Sequence, residues 1–329
     1  MALKRALARV AYSAERGIDK FRRGPARDDP IIVCYGGYTT VDHVVLRGRV
    51  LAKARALSGL VPQSKWQNFK DFLSLFATDE LQGLRITAPN HGVHTQTDEE
   101  GFFTLKLPLT KQLEPFIDIH AEGAIEGHRV PVFDTRDAAF GVISDIDDTV
   151  LRTGAYSLIR NLWTSATGNV HQREVFPDAV ALLCYLSTKG GACFYVSSSP
   201  WNLYGYLQVI FQRAQLPSGP FFLRDLGISQ SQFITGTHGD HKTDAIETIL
   251  GANPRLGFTL VGDTGQHDPH IYADIVARYP SRITQVILRR PSQKELSTEV
   301  CDALEQIRLA GVKVTVDFDY RAVLLDQRA

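Results

Sequence analysis

The chain has 329 residues, 44% of them hydrophobic, and its 36 basic and 36 acidic side chains cancel to a formal net charge of zero. That length suggests two domains of ordinary size with well-formed cores, and the balanced charge gives no global reason to expect a nucleic-acid partner. The four cysteines (Cys34, Cys184, Cys193, Cys301) are far apart and form no Cys-x-x-Cys. They fit neither a zinc site nor a disulfide framework and point to a reducing, cytoplasmic compartment. No stretch is apolar enough to be expected to span a bilayer, and no apolar signal-peptide core is expected at the N-terminus.

Residues 1–28 are basic and periodic. Leu3, Leu7, Val10, Ala14, Ile18 and Phe21 recur at three- and four-residue steps, which places one apolar stripe on a helix. Eight Lys or Arg within residues 1–27 stand against Glu15 and Asp19. Two placements fit such a helix: packed on its own protein with a solvated basic face, or lying peripherally on an anionic membrane surface.

Residues 29–137 read as a smaller β-sandwich-like domain. Strands are predicted at 31–35, 44–50, 84–87, 93–97, 102–107 and 117–121, with turns at Gly36-Gly37, Pro89-Asn90 and Asp98–Gly101. Short strands with polar alternation suggest antiparallel pairing. A helix or long insert is predicted over 64–80, with Phe69, Phe72, Leu73 and Phe76 on one face. No catalytic constellation falls here, so placement or recognition is the expected role.

From residue 138 to 329 apolar strands alternate with amphipathic helices. Strands are predicted at 141–144, 192–196, 221–223, 258–261, 284–288 and 312–316, and helices at 178–188, 201–214, 243–250, 269–277 and 294–309. This pattern means an α/β fold, a Rossmann-like parallel sheet in three layers. Ligands on such sheets bind beyond the carboxyl ends of the strands. Chemistry-bearing residues should therefore directly follow strands.

Four segments stand behind a predicted strand or at a helix start. In the first, Val142-Ile143-Ser144 runs into Asp145-Ile146-Asp147-Asp148-Thr149. Packed carboxylates after an apolar strand need a partner or a cation. A loop starting at Ile146 would let the Asp145 side chain and the Asp147 backbone converge on a hard cation such as Mg2+. Taken alone, the acids also suit a turn capping a helix; an EF-hand loop is excluded by Val150 where Gly is needed. In the second, Phe194-Tyr195-Val196 leads into Ser197-Ser198-Ser199, read as hydroxyls and amides at a helix start able to hold an anion, or as an N-cap run. The third is His241-Lys242-Thr243-Asp244 at a helix start. The fourth is Val261-Gly262-Asp263, with Asp268 five residues on; Gly262 permits close backbone approach, and the two acids can complete an oxygen shell.

Asp145-Ile146-Asp147-Asp148-Thr149 has the Asp-x-Asp-x-Thr form of haloacid-dehalogenase-type phosphatases. The longer string through Val150-Leu151-Arg152-Thr153-Gly154, with Gly262-Asp263-x-Gly265-x-x-Asp268-Pro269, resembles the catalytic domain of the actin-patch phosphatidate phosphatase family. The resemblance covers roughly 138–290. It implies a haloacid-dehalogenase-like fold with a minimal cap and hydrolysis through an aspartyl-phosphate. Asp145 would be the nucleophile and Asp147 the acid and base. Ser197 and Lys242 would hold the phosphoryl group, with Thr149 and Ser198 as further substrate-binding positions. Asp145, Asp147, Asp263 and Asp268 would hold Mg2+.

The substrate expected from the resemblance is phosphatidate or another phosphomonoester. About fifty residues separate Asp145 from Ser197, which leaves room for a short lid and an open site. Tyr156, Leu158, Ile159, Leu162 and Trp163 suit either acyl chains or the core. A soluble or protein phosphoester and a catalytically silent lipid- or protein-binding module remain as alternatives.

Overall fold

The structure, a computed structural model, describes residues 30–52, 81–152, 175–224 and 238–326. The stripe in 1–28, the insert at 64–80 and the apolar residues 156–163 lie outside the described residues, as does the segment where a cap would fall.

The amino-terminal part is one sheet. Its strands are β1 (Ile31–Thr39), β2 (His43–Leu51), β3 (Arg85–Ala88), β4 (Val93–Gln96), β5 (Phe102–Pro108), β6 (Phe116–Ala121) and β7 (His128–Phe133), in the order β4-β3-β6-β7-β1-β2-β5. All pairs are antiparallel except β1 with β7. The two end strands, β4 and β5, come against one another, so the sheet curls nearly closed. This corrects the expected two-sheet sandwich. The difference comes from β7, which carries Pro131 opposite Phe116. A proline argues against a central strand, so 128–133 does not read as one. Yet β7 bridges β6 and β1 and makes one mixed, barrel-like sheet of what would otherwise be two. Alternate residues such as Leu105, Leu107, Ile117 and Ile119 fill its interior.

The second sheet is wholly parallel: β8 (Phe140–Asp145), β9 (Gly191–Pro200), β10 (Phe221–Arg224), β11 (Phe258–Asp263), β12 (Ile283–Arg289) and β13 (Lys313–Asp317). Its order, β10-β9-β8-β11-β12-β13, is that of a doubly wound sheet whose direction of winding reverses between β8 and β11. Helices α1 (Pro177–Thr188), α2 (Tyr204–Arg213) and α6 (Arg321–Asp326) cover one face; α3 (His238–Ala252), α4 (Asp268–Arg278) and α5 (Thr298–Leu309) cover the other. Neighbouring strand residues divide between these layers: Val142 and Val261 pack with the first set, Ile143 and Leu260 with the second. Both faces being buried explains why the strands read as unbroken apolar runs.

The two sheets are docked through shared cores. Tyr35 packs in the layer of α1 and α2, and Tyr38 and Val45 in the layer of α3 to α5. A buried polar contact adds to this. The Thr39 and Thr135 hydroxyls lie 3.0 Å apart, and the Thr135 hydroxyl donates to the Asn253 side-chain carbonyl at the end of α3.

Candidate active site

Asp145 is the last residue of β8 and Asp263 the last of β11, so the winding reversal sets them side by side at the carboxyl edge of the sheet. After Asp145 the chain turns sharply. Val150 and Leu151 amides donate to the Ile146 carbonyl, and the Asp148 amide donates to Leu151. Asp148 adopts the left-handed region at φ 57°, which only a few residue types tolerate. The turn ends the strand at Asp145 and leaves the Asp147 side chain at the sheet edge, facing the end of β9.

Lys242 joins them from α3. Its Nζ lies 2.8 Å from Asp145 Oδ1 and donates a hydrogen bond to Asp268 Oδ1. The helix already includes His238, so Lys242 sits inside it rather than just before it. Asp268, the first residue of α4, accepts the Asp263 amide with its other oxygen at 3.1 Å. Asp263 Oδ1 accepts the amides of Gly265 (2.6 Å) and Gln266 (3.0 Å). Gly262 has a structural reason: a Cβ there would fall 2.3 Å from Asp268 Oδ2 and 2.7 Å from the Tyr272 hydroxyl.

Asp147 faces a different set. Its Oδ2 accepts the hydroxyls of Ser197 (2.7 Å) and Ser199 (3.1 Å), and the Ser199 amide donates to Ser197 Oγ. The serines do not start a helix, as the sequence suggests. β9 runs on to Pro200, followed by a single 3-10 turn, Trp201–Leu203. Strand alternation therefore aims Ser197 and Ser199 at Asp147 and turns Ser198 away. Ser199 has no role of its own in the sequence expectation, which names it only within the serine run; period-two alternation read through to residue 200 would have paired it with Ser197. Thr149 is fully buried, and its hydroxyl has no hydrogen-bond partner. Gln266, also not anticipated, donates from Nε2 to the Asp147 carbonyl at 3.1 Å.

The site is strongly unbalanced in charge. Asp145, Asp147, Asp148, Asp263 and Asp268 are all buried, and Lys242, itself 3% exposed, stands among them. Burial raises the Asp145 carboxyl well above the usual range. Lys242 opposes that, and Asp268, Asp147 and Asp263 reinforce it. Burial also raises Asp147 against the pull of Ser197 and Ser199. Burial, with Asp268 adding, pushes Asp263 up to about 8. Burial alone would lower the Lys242 ammonium, but Asp145 and Asp268 outweigh it and raise it.

Ligand atoms of Asp145, Asp263 and Asp268 all lie within 4.8 Å of one another. Asp145 Oδ2 and Asp263 Oδ2 are buried and have no hydrogen-bond partner. Hard oxygens, excess negative charge and orphaned acceptors fit a small divalent cation of the Mg2+ type. The Asp147 side chain lies with the serines, outside this group; its carbonyl is the part that faces the loop of Asp263.

Two tyrosines brace the end of β11. The Tyr272 hydroxyl donates to the Val261 carbonyl and the Tyr320 hydroxyl to the Gly262 carbonyl, each at 3.0 Å. Tyr320 is held in turn by Asp178, which accepts its amide and pairs with Arg289 at 2.6 Å.

Residues 140–290 match a family profile described as phosphatidate phosphatase APP1, catalytic domain. The chain is 30% identical over 226 residues to phosphatidate phosphatase APP1 of Saccharomyces cerevisiae, covering 66% of this chain and 37% of that protein. It is 26% identical over 181 residues to an uncharacterized protein of Schizosaccharomyces pombe, covering 54% of this chain and 28% of that one. The chain thus spans well under half the length of these relatives. A chain of a solved Pnkp1/Rnl/Hen1 complex aligns with a TM-score of 0.33 and 13% identity, over 55% of this chain and 58% of that one, a likeness that carries no argument. The matched segment contains Asp145, Asp147, Ser197, Lys242, Asp263 and Asp268, so the whole cluster lies in the part of the chain that is similar to the APP1 catalytic domain.

Proposed function

We propose that the chain is a phosphoric monoester hydrolase of the haloacid-dehalogenase type, working through an aspartyl-phosphate on Asp145, with phosphatidate as its substrate. The observation that carries this reading is the buried group of five aspartates around one lysine, with three carboxylate oxygens, on Asp145, Asp147 and Asp263, left open. Nothing about packing calls for that set, and a structural ion pair would use one acid per base. The similarity of residues 140–290 to the APP1 catalytic domain supports the choice of phosphatidate.

In this reading Asp145 attacks phosphorus in line through the oxygen not held by Lys242. The ester oxygen departs as Asp147 gives it a proton, and Asp147 then takes one from the water that cleaves the acyl phosphate. The raised carboxyl of Asp147 suits a group that must hold a proton at the start. Lys242 and Ser197 hold phosphoryl oxygens, with Thr149 within the same turn and Ser198 at its margin. Asp145, Asp263 and the Asp147 carbonyl would hold Mg2+, with Asp268 in support through Lys242 and the Asp263 amide. When bound, the cation would keep Asp145 ionised and offset charge on the phosphoryl group. A cytoplasmic location with peripheral membrane contact belongs to the same reading; among the described residues no helix is long and apolar enough to cross a membrane.

The test is phosphate release from phosphatidate in mixed micelles, with and without Mg2+, beside a panel of sugar phosphates and phosphoproteins. Release from phosphatidate that needs Mg2+ and disappears in Asp145→Asn, with circular dichroism unchanged, is the expected result. Preference for soluble phosphates overturns the substrate. Full activity in Asp145→Asn overturns the chemistry, and no release from any ester by the wild type leaves a binding module.

A further inference from the structure

We propose that the curled amino-terminal sheet is part of the reaction's machinery: Tyr35 and Arg47 are positioning residues that hold the serine-bearing end of β9 in register with Asp147. The proposal rests on the phosphatase reading and gives the first sheet a task within it.

The end of β9 needs such support. β8 accompanies β9 only as far as Asp145 opposite Val196. Ser197 to Pro200 extend beyond it, flanked on the other side by β10, whose register is irregular between Phe222 and Arg224. The two serines that grip Asp147 therefore lie on a projecting strand end with one strand neighbour among the described residues. Trp201 comes directly after that end and opens the 3-10 turn.

Two side chains of the first sheet reach this end. The Tyr35 ring stacks on Trp201, with centroids 3.8 Å apart and planes 20° apart, and meets Tyr204 edge-on at 5.0 Å. Arg47 Nη2 donates to the Phe221 carbonyl at 3.0 Å. Its guanidinium lies 4.0 Å from the Phe222 ring centroid and 5.7 Å from that of Trp201. Arg47 thus reaches from β10 to Trp201, and Tyr35 stacks on the Trp201 ring. An aromatic cluster between two sheets also serves as plain packing. The contact through Thr39, Thr135 and Asn253 joins the same two sheets without touching β9 or Trp201, so it separates the two roles.

Three variants and one ligand read this out. In Tyr35→Leu, which removes the ring face but stays apolar, we expect the inhibition constant for inorganic phosphate and the KM for substrate each to rise about tenfold, since small misplacement of holding groups is costly. Tyr35→Phe keeps the ring and should restore wild-type values. Thr135→Val loosens the docking of the sheets; it should lower the melting temperature and leave phosphate inhibition unchanged. If Tyr35→Leu folds poorly, Arg47→Met, with its stem kept, gives the same reading. Wild-type phosphate inhibition in Tyr35→Leu and Arg47→Met overturns the proposal. An equal rise in Thr135→Val does so too, because it would make docking in general the cause. Calorimetric binding of inorganic phosphate reads positioning without turnover. A wild type that binds phosphate but releases none thus counts against the phosphatase reading, leaving the positioning claim to the variants; one that binds none counts against both.

Discussion

Lys242 stands between Asp145 and Asp268, and each of the three would be costly to bury alone. Lys242→Met leaves both carboxylates without their counter-charge. We expect a loss of about 3–5 kcal/mol in urea unfolding at neutral pH, the cost of breaking a buried pair from one side. Ser199→Ala removes one of two hydroxyls on Asp147 Oδ2. A hydrogen bond of this kind contributes about 1 kcal/mol, so turnover should fall about fivefold, and Ser198→Ala should cost less. His241, next to Lys242, makes a different prediction. Burial, with Arg224 adding, holds its imidazole down to about 4 from an ordinary 6.5, while a hydrogen bond to Phe222 opposes that. Between those values the unfolded chain binds the proton and the folded chain does not. The stability that His241 contributes as a neutral group is therefore full above pH 6.5 and is lost as pH falls toward 4. In His241→Gln this part of the slope should vanish from paired urea melts across that range.

At the scale of elements, β11 and the turn after β8 set the geometry. Tyr272 and Tyr320 hold the last carbonyls of β11, and Gly262 leaves room for Asp268. Gly262→Ala should abolish most phosphate release, because the new methyl displaces Asp268 from the Asp263 amide and disturbs Lys242. The control is Gly141→Ala on β8, where a Cβ would fall 2.1 Å from the Phe258 ring. That variant should lose roughly 1–3 kcal/mol by overpacking while any folded fraction keeps its KM. Thermal melts beside kinetics separate the two. The strands and helices of the parallel sheet were legible because each is a run of one period with turn residues between. Two features were not. β9 continues through three serines, which read as a helix cap, because β10 pairs with it as far as Pro200. β7 contains a proline yet pairs on both sides.

The whole molecule is one body. The first sheet fills its own interior, but its residues also lie in both hydrophobic layers of the second, so among the described residues the two parts share packed surface on either face. Heating should give a single transition with matching calorimetric and van't Hoff enthalpies, rather than one per sheet. The cysteines offer an independent check. Cys34 lies inside the curled sheet and Cys193 in the parallel sheet, and burial raises both thiols, Cys193 to about 12. Cys301 is exposed. Alkylation of native protein should mark Cys301 first, while Cys34 and Cys193 should react together and only on unfolding. Early reaction of Cys34 alone would mean that the first sheet opens independently.

The sequence by itself determined the alternation of strand and helix, the parallel sheet, and the four segments where polar residues follow a strand or lie near a helix start, because these depend on local period and on the cost of burying charge. Tertiary structure alone decided which groups meet. The reversal of winding between β8 and β11 sets Asp145 beside Asp263, the left-handed turn at Asp148 swings Asp147 toward the serines, and long-range pairing makes one curled sheet of the first seven strands. Contacts between residues a hundred positions apart have no local period; the resemblance implied that these groups share a site, and the folded chain shows which atoms meet.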